Sequence, residues 1–230
     1  MIAENIKQIR AKTDQKCLEI GRNSQDIKLI AVSKNFPAED VRTAFGCGIA
    51  DFGENKAQEL RDKFDILSDL KNKITWHFIG KLQRNKVKYA VSFAEYIHSL
   101  DSIELAEEIN NRAQKINKKQ KVLIEIKTSG EDTKSGLESE EEAVDILNKC
   151  KSLGSVEVIG LMTIAPFTGD KDVIRNSFSY LRKLRDEFNK MGYDLKELSM
   201  GMTHDFEIAI EEGATFLRIG TAIFGQRIYE

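Results

Sequence analysis

A lysine at the mouth of a buried strand is a candidate nucleophile, and the run Leu29-Ile30-Ala31-Val32-Ser33 delivers one, Lys34. The five residues are of low polarity, with Gly21-Arg22-Asn23-Ser24 before them and Pro37 after, and read as a buried strand bounded by turns. If the stem of such a lysine lies in apolar surroundings, desolvation lowers the amine pKa and turns a surface cation into a nucleophile. The same position equally suits a lysine that buries its stem and keeps its ammonium group in water. Lys127 ends a second strand pattern, Val122 to Ile126, as Lys34 ends the first, and spacing alone does not separate them. Lys81 follows Gly80 in a strongly basic loop and is expected to be solvated.

The second stretch with chemistry in it is Arg218-Ile219-Gly220-Thr221-Ala222-Ile223-Phe224-Gly225. Gly220 lets the backbone approach an anion closely, Thr221 adds a hydroxyl, and the amides opening a short helix supply donors. Ser199-Met200-Gly201-Met202-Thr203-His204-Asp205 has the same order of glycine, hydroxyl and helix start. Either alone reads equally as a glycine turn with a capping hydroxyl. Two of them at adjacent strand ends are harder to dismiss as turns alone. Gly53-Glu54-Asn55 and the segment from Gly80 to Lys86 also follow strand patterns and read as solvated loops.

Other chemistries find no support. Cys17, Cys47 and Cys150 are odd in number and lack CxxC spacing, and His77, His98 and His204 are scattered without an HExxH pattern, which argues against a disulfide framework and against a metal centre. With 35 basic and 37 acidic residues the net charge is −2, so no global field favours nucleic acid. The first ten residues are charged throughout, with no apolar signal core, and no run reaches the roughly 18 residues of a membrane span. A reducing cytoplasm is the expected location.

The elements that must position these residues alternate. A helix over about residues 2–21, using Ile2, Ile6, Ile9, Cys17 and Leu18 on one face, precedes the strand to Lys34. A helix begins after Pro37, a second strand spans Ile49 to Phe52 with Gly53 as its stop, and a helix runs from Glu54 to about Leu70. Thr75 to Ile79, Tyr96 to Ser99, Val122 to Ile126, Val156 to Ile164, Glu197 to Met200 and Ala214 to Ile219 are the remaining strands. Helices lie between them, with Asp101 or Ser102 and Ser139 as caps, and Val173, Phe178, Leu181, Leu184 and Phe188 make the apolar face of the longest. Strict alternation argues for parallel strands with crossover helices. About eight repeats, and no GxGxxG after the first strand, favour a closed (β/α)8 TIM barrel with an extra N-terminal helix over an open doubly wound sheet. The site then belongs at the C-terminal ends of the strands, where Lys34 stands.

A reactive lysine, a phosphate cradle and an arginine on one barrel face suggest pyridoxal 5′-phosphate. At Ala31-Val32-Ser33-Lys34, Phe52-Gly53-Glu54-Asn55, the segment Trp76 to Lys86, Gly160-Leu161-Met162, Leu198 to Met202 and Arg218 to Gly225, the chain resembles the pyridoxal phosphate homeostasis protein family. The resemblance implies one barrel over residues 1–230, like the N-terminal domain of alanine racemase, that holds the cofactor as a lysine Schiff base. It implies Lys34 as the attachment point, Arg218 facing the pyridine nitrogen, and Gly220 and Thr221 at the phosphate, joined by Ser199 and Thr203. Thr203 stands where the family usually has serine, which keeps the hydroxyl and adds a methyl. Asn55 and Met162 are implied as pocket walls.

An arginine beside the ring nitrogen disfavours its protonation and weakens the ring as an electron sink. Racemisation also needs a second acid/base on the opposite face. The racemase draws its own from a tyrosine and has a further β domain for which this chain, stopping at Glu230, leaves no length. None of Tyr89, Tyr96, Tyr180, Tyr193 and Tyr229 falls at an obvious strand end. The expectation is a non-catalytic, monomeric carrier in vitamin B6 homeostasis that passes the cofactor to apoenzymes. An amino-acid racemase is the alternative, and a barrel for another phosphorylated metabolite a third reading.

Overall fold

Eight parallel strands close into a barrel in sequence order, with β8 pairing back onto β1. The computed structural model describes residues 1–128 and 136–226. The strands are β1 (Lys28–Val32), β2 (Asp51–Glu54), β3 (Thr75–Phe78), β4 (Tyr96–Leu100), β5 (Gln120–Glu125), β6 (Val156–Met162), β7 (Glu197–Ser199) and β8 (Phe216–Ile219). The helices are α1 (Ile2–Glu19), α2 (Ala38–Gly46), α3 (Ala57–Ile66), α4 (Val87–Phe93), α5 (Ile103–Lys115), α6 (Glu140–Lys151), α7 (Lys171–Lys190), α8 (Phe206–Glu211) and α9 (Thr221–Phe224). None of the helices among the described residues is long and apolar enough to cross a membrane.

Local signals place the helix starts. The Ser139 hydroxyl accepts the Glu142 amide while the Glu142 carboxylate reaches back to the Ser139 amide, a capping box that opens α6. Ser102 caps α5 through the Leu105 amide, and Asp170 caps α7. The apolar face of α7 is Ile174, Phe178, Leu181, Leu184 and Phe188, at helical spacing. Val173, expected on that face, is 42% exposed, because the stripe passes through Ile174. Leu18 is likewise turned to solvent at 77% exposure, leaving Ile6, Ile9, Thr13 and Cys17 as the buried residues of α1.

The extra N-terminal helix has a structural reason. The segment after β8 forms only the four-residue α9, too short to cover its share of the barrel. α1 packs against α2, α8 and α9 and fills that gap in the outer ring. Asn5 donates to the Ile223 carbonyl at 2.8 Å, and Arg22, just beyond the helix, donates to the carbonyls of Ile210 and Ala214 at 2.7 and 2.9 Å.

The second strand lies two residues later than its apolar run suggests. Ile49 is buried before the strand begins, and Gly53 and Glu54 belong to the ladder, paired with His77 and Phe78. Side chains alternate across each strand. Ile30 on β1, Leu123 on β5, Met162 on β6 and Phe216 on β8 form a small apolar cluster apart from the main core between barrel and helices. The same alternation carries β1 upward through Ile30 and Val32 to Lys34, and β2 through Gly53 to Asn55.

Candidate functional site

The C-terminal ends of the strands surround a cavity of about 390 Å³. Lys34, Asn55, Thr203, Arg218, Gly220 and Thr221 all line it, with Val32, Ile79, Ile164 and Ala165 as apolar wall. Ser199 and Met162 do not. Ser199 is fully buried, with its hydroxyl within hydrogen-bond distance of Arg218 and His98, and Met162 sits in the interior apolar cluster. Lys81 is exposed and also borders the cavity. Lys127, which sequence spacing could not separate from Lys34, pairs with Glu138 at 2.7 Å.

Lys34 is half-buried, and its backbone is gripped on both sides. On the N-terminal side, Lys63 of α3 donates to the Ser33 carbonyl at 2.6 Å. On the C-terminal side, the Asn35 amide donates to Glu59 at 2.6 Å. Asn35 has φ +65°, a left-handed conformation that asparagine tolerates better than most residues. Lys63 joins the two anchors, pairing with Glu59 at 2.9 Å and with the fully buried Glu54 at 2.6 Å, while the Ser33 hydroxyl donates to the same Glu54 oxygen at 2.6 Å. Sequence reasoning missed this cluster. Its signals were Glu59 and Lys63 at i, i+4 spacing and a glutamate inside the Phe52-Gly53-Glu54-Asn55 motif.

Burial pushes the Glu54 carboxyl up to about 7, against the opposing pull of Lys63 and Ser33. The folded state therefore holds a proton on Glu54 between about pH 4.5 and about pH 7 that the unfolded chain releases. Its contribution to stability falls as pH rises through that window, by on the order of 3 kcal/mol. Urea midpoints measured from pH 5 to pH 8 are expected to show this decline in the parent protein and a flatter profile in Glu54→Gln. Equal slopes in the two proteins would remove Glu54 as the source.

Arg218 holds one side of the cavity floor. Its guanidinium donates to the Ser199 hydroxyl at 2.6 Å and to the Thr163 carbonyl at 2.8 Å. Burial lowers its pKa to about 10, so it remains a cation at neutral pH. Across the floor, Gly80 packs so tightly on Asn55 that a Cβ there would lie 2.3 Å from the Asn55 carbonyl oxygen. The contact holds Asn55 in place, and its buried Oδ1 has no hydrogen-bond partner among the described residues. An unsatisfied amide oxygen at a cavity wall suits a ligand with a donor or a bridging water.

The phosphate-type turns meet as the sequence suggested. The Thr203 hydroxyl accepts the Ala222 amide of α9 at 3.2 Å, which ties the loop after β7 to the one after β8. Thr221 opens α9, where helical amides have no intrahelical partner. Gly201 has φ +93°, and a Cβ there would lie 2.6 Å from that of Ala209, so only glycine makes this turn. Among the described residues no group of three or more histidine, cysteine or carboxylate side chains could hold a metal ion.

Comparison with known proteins fits this arrangement. The family model for the alanine racemase N-terminal domain matches residues 2–228. The pyridoxal phosphate homeostasis protein of Aquifex aeolicus is 44% identical over 227 residues, 98% of each chain. Its human counterpart is 40% identical over 240 residues, 96% of this chain and 86% of that one. The structure of PipY from Synechococcus elongatus with PLP bound superposes with TM-score 0.88 at 35% identity, covering 98% of this chain and all of PipY. Alanine racemase of Clostridium difficile shares the fold at TM-score 0.74 and 14% identity, with 95% of this chain and 60% of the racemase covered.

Proposed function

The chain belongs to the pyridoxal phosphate homeostasis protein family, on the barrel of the alanine racemase N-terminal domain, and from that premise we propose that it binds pyridoxal 5′-phosphate in the cavity at the strand ends and holds it for release rather than for turnover. The observation that carries the reading is the convergence of Lys34, Arg218, Thr203 and the Gly220-Thr221 turn on one cavity of about 390 Å³. When bound, the cofactor supplies an aldehyde open to an amine and a ring that withdraws electrons.

Each residue has a part that follows from its chemistry. Lys34, held by a clamped backbone at the cavity edge, is the attachment residue. Arg218 has five donors and no acceptor, so it presents only N–H groups to a ring nitrogen. Gly220 and Thr221, with the Thr203 hydroxyl beside them, are the phosphate contacts, and the unsatisfied Asn55 oxygen lies on the wall. Ser199 acts from behind Arg218, and Met162 supports the floor from the interior. The non-catalytic part of the reading follows the homeostasis-protein relatives and the Arg218 cation, which weakens the ring as an electron sink; the cavity itself carries ionisable groups at Lys81, Glu125, His204 and Asp205. None of Tyr89, Tyr96, Tyr180 and Tyr193 lines the cavity, and Tyr229 lies outside the described residues. A single unit over residues 1–230, acting as a monomer in the cytoplasm and passing the cofactor to apoenzymes, completes the proposal. Three free cysteines suit such a reducing compartment.

The test is direct. Purified protein mixed with pyridoxal phosphate is reduced with borohydride, digested and mapped by mass, and the adduct is expected on the peptide carrying Lys34. No adduct, or one confined to Lys81, overturns the site. Exchange of the alanine α-proton in deuterated water at an enzyme-like rate would overturn the non-catalytic part and favour the racemase.

A further inference from the structure

His77 is part of the Trp76-to-Lys86 segment that resembles the family, yet it does not line the cavity. Its place is inside the barrel. Its Nε2 lies 3.0 Å from Asp51 Oδ1 on β2, and its Nδ1 lies 2.9 Å from Nε2 of His98 on β4. His98 Nδ1 in turn lies 2.9 Å from the Ser199 hydroxyl on β7, which accepts from Arg218 on β8 at 2.6 Å. Five side chains from five strands thus form one line, from Asp51 at the start of its strand to Arg218 at the cavity floor.

The two ends dictate the direction of every bond between them. A guanidinium can only donate and a carboxylate can only accept. His77, His98 and Ser199 are each 0% exposed, so no bulk water offers an alternative partner. Asp51 accepts the hydrogen on His77 Nε2, which leaves Nδ1 of that neutral ring as acceptor. His98 must then donate from Nε2, and its Nδ1 accepts the Ser199 hydroxyl hydrogen. The Ser199 oxygen keeps its lone pairs for Arg218. Reversing the line would set a bare ring nitrogen against the Asp51 carboxylate.

The surroundings hold both rings neutral. Burial lowers the pKa of both, and for His98 the neighbouring His77 and Arg218 lower it further. Lys28 of β1 lies 3.3 Å from Asp51 and also opposes a charge on His77, while Asp51 and Glu95 favour one. His77 stacks on Tyr96 at 4.6 Å, and the Lys28 and Lys121 ammonium groups lie 5.2 and 5.3 Å from the centroid of the Tyr96 ring.

We infer that Asp51, His77, His98 and Ser199 are positioning residues for Arg218, forming a buried one-directional hydrogen-bond line that aims the guanidinium at the cavity. Its use toward the cofactor rests on the proposed function, whereas the line itself is a property of the free protein. Two measurements therefore separate the two. In ¹⁵N-histidine-labelled protein without cofactor, long-range proton–nitrogen spectra are expected to show His77 and His98 both carrying hydrogen on Nε2 only, with no protonation between about pH 6 and about pH 8, a range that spans the ordinary histidine value. Hydrogen on Nδ1 of either ring, or titration of either at its ordinary value, overturns the line.

Asp51→Asn then tests its reach. Asp51 makes no part of the cavity lining, so a purely structural role for it leaves the cofactor spectrum unmoved. The expected result is a shifted visible absorbance of bound pyridoxal phosphate and about tenfold weaker binding. Ser199→Ala, which removes one acceptor from Arg218 and the donor to His98, gives the same reading if Asp51→Asn does not fold. Parent spectrum and affinity in a folded variant overturn the positioning role, and failure of the parent protein to bind pyridoxal phosphate overturns the proposed function while the histidine spectra still decide the line.

Discussion

Lys34→Ala is expected to eliminate the borohydride-trapped adduct and to weaken pyridoxal phosphate binding by about 100-fold, near 3 kcal/mol, while the barrel stays folded. Lys34 lies at a cavity edge, so truncating it enlarges a space already open instead of hollowing a packed core. The backbone on either side is held by Lys63 at the Ser33 carbonyl and by Glu59 at the Asn35 amide, two bonds that the substitution leaves in place. Unfolding by urea should therefore stay within about 1 kcal/mol of the parent protein. Residual affinity is expected through Arg218, Thr203 and the Gly220-Thr221 turn, and peptide mass with a fluorescence titration reads both effects. An adduct that persists on another lysine would move the attachment point, and global unfolding of the variant would make Lys34 structural.

Gly160→Ala is expected to cost at least about 3 kcal/mol, lowering the melting temperature by roughly 6–12 °C for a chain of this size. Gly160 of β6 pairs with Glu197 of β7, and a Cβ there would lie 1.9 Å from the Glu197 carbonyl oxygen and 2.6 Å from its carbon. Both obstacles are backbone, so no side-chain rotation relieves them. β7 is three residues long, and its ladder to β8 is short, with Ser199 opposite Phe216 and backbone bonds from Thr215 to Leu198 and from Met200 to Phe216 on either side. Displacing β7 also shifts Ser199, the acceptor of Arg218, so the variant should lose cofactor affinity along with stability. Thermal melts within about 1 kcal/mol of the parent would show that β7 can move aside without loss.

The alternation of elements was legible because it is a local property. Strand and helix each repeat within a few residues, and caps such as Ser139 announce themselves beside the helix they open. The second strand was harder to place. Its apolar run, Ile49 to Phe52, does not coincide with the ladder, since a buried carboxyl group is accommodated at Glu54 by hydrogen bonds from Lys63 of α3 and from Ser33. Lys34 and Lys127 were indistinguishable for a similar reason. Each ends an apolar strand, and only folding decides that one lines the cavity while the other pairs with Glu138.

From sequence alone came the parallel barrel, the strand end that presents Lys34 and the glycine-hydroxyl turns at Thr203 and Gly220-Thr221. All of these depend on the order of neighbouring residues. Tertiary structure decided which groups meet: Lys63 on the Ser33 carbonyl across 30 residues, Ser199 on His98 across 101, and Arg218 at the end of a line that starts at Asp51. A hydrogen bond needs its partners within about 3 Å, and closing the barrel brings strands far apart in the chain to that distance. Ser199 illustrates the difference. The family resemblance implies its hydroxyl at the phosphate, and in the closed barrel it faces inward to bridge His98 and Arg218.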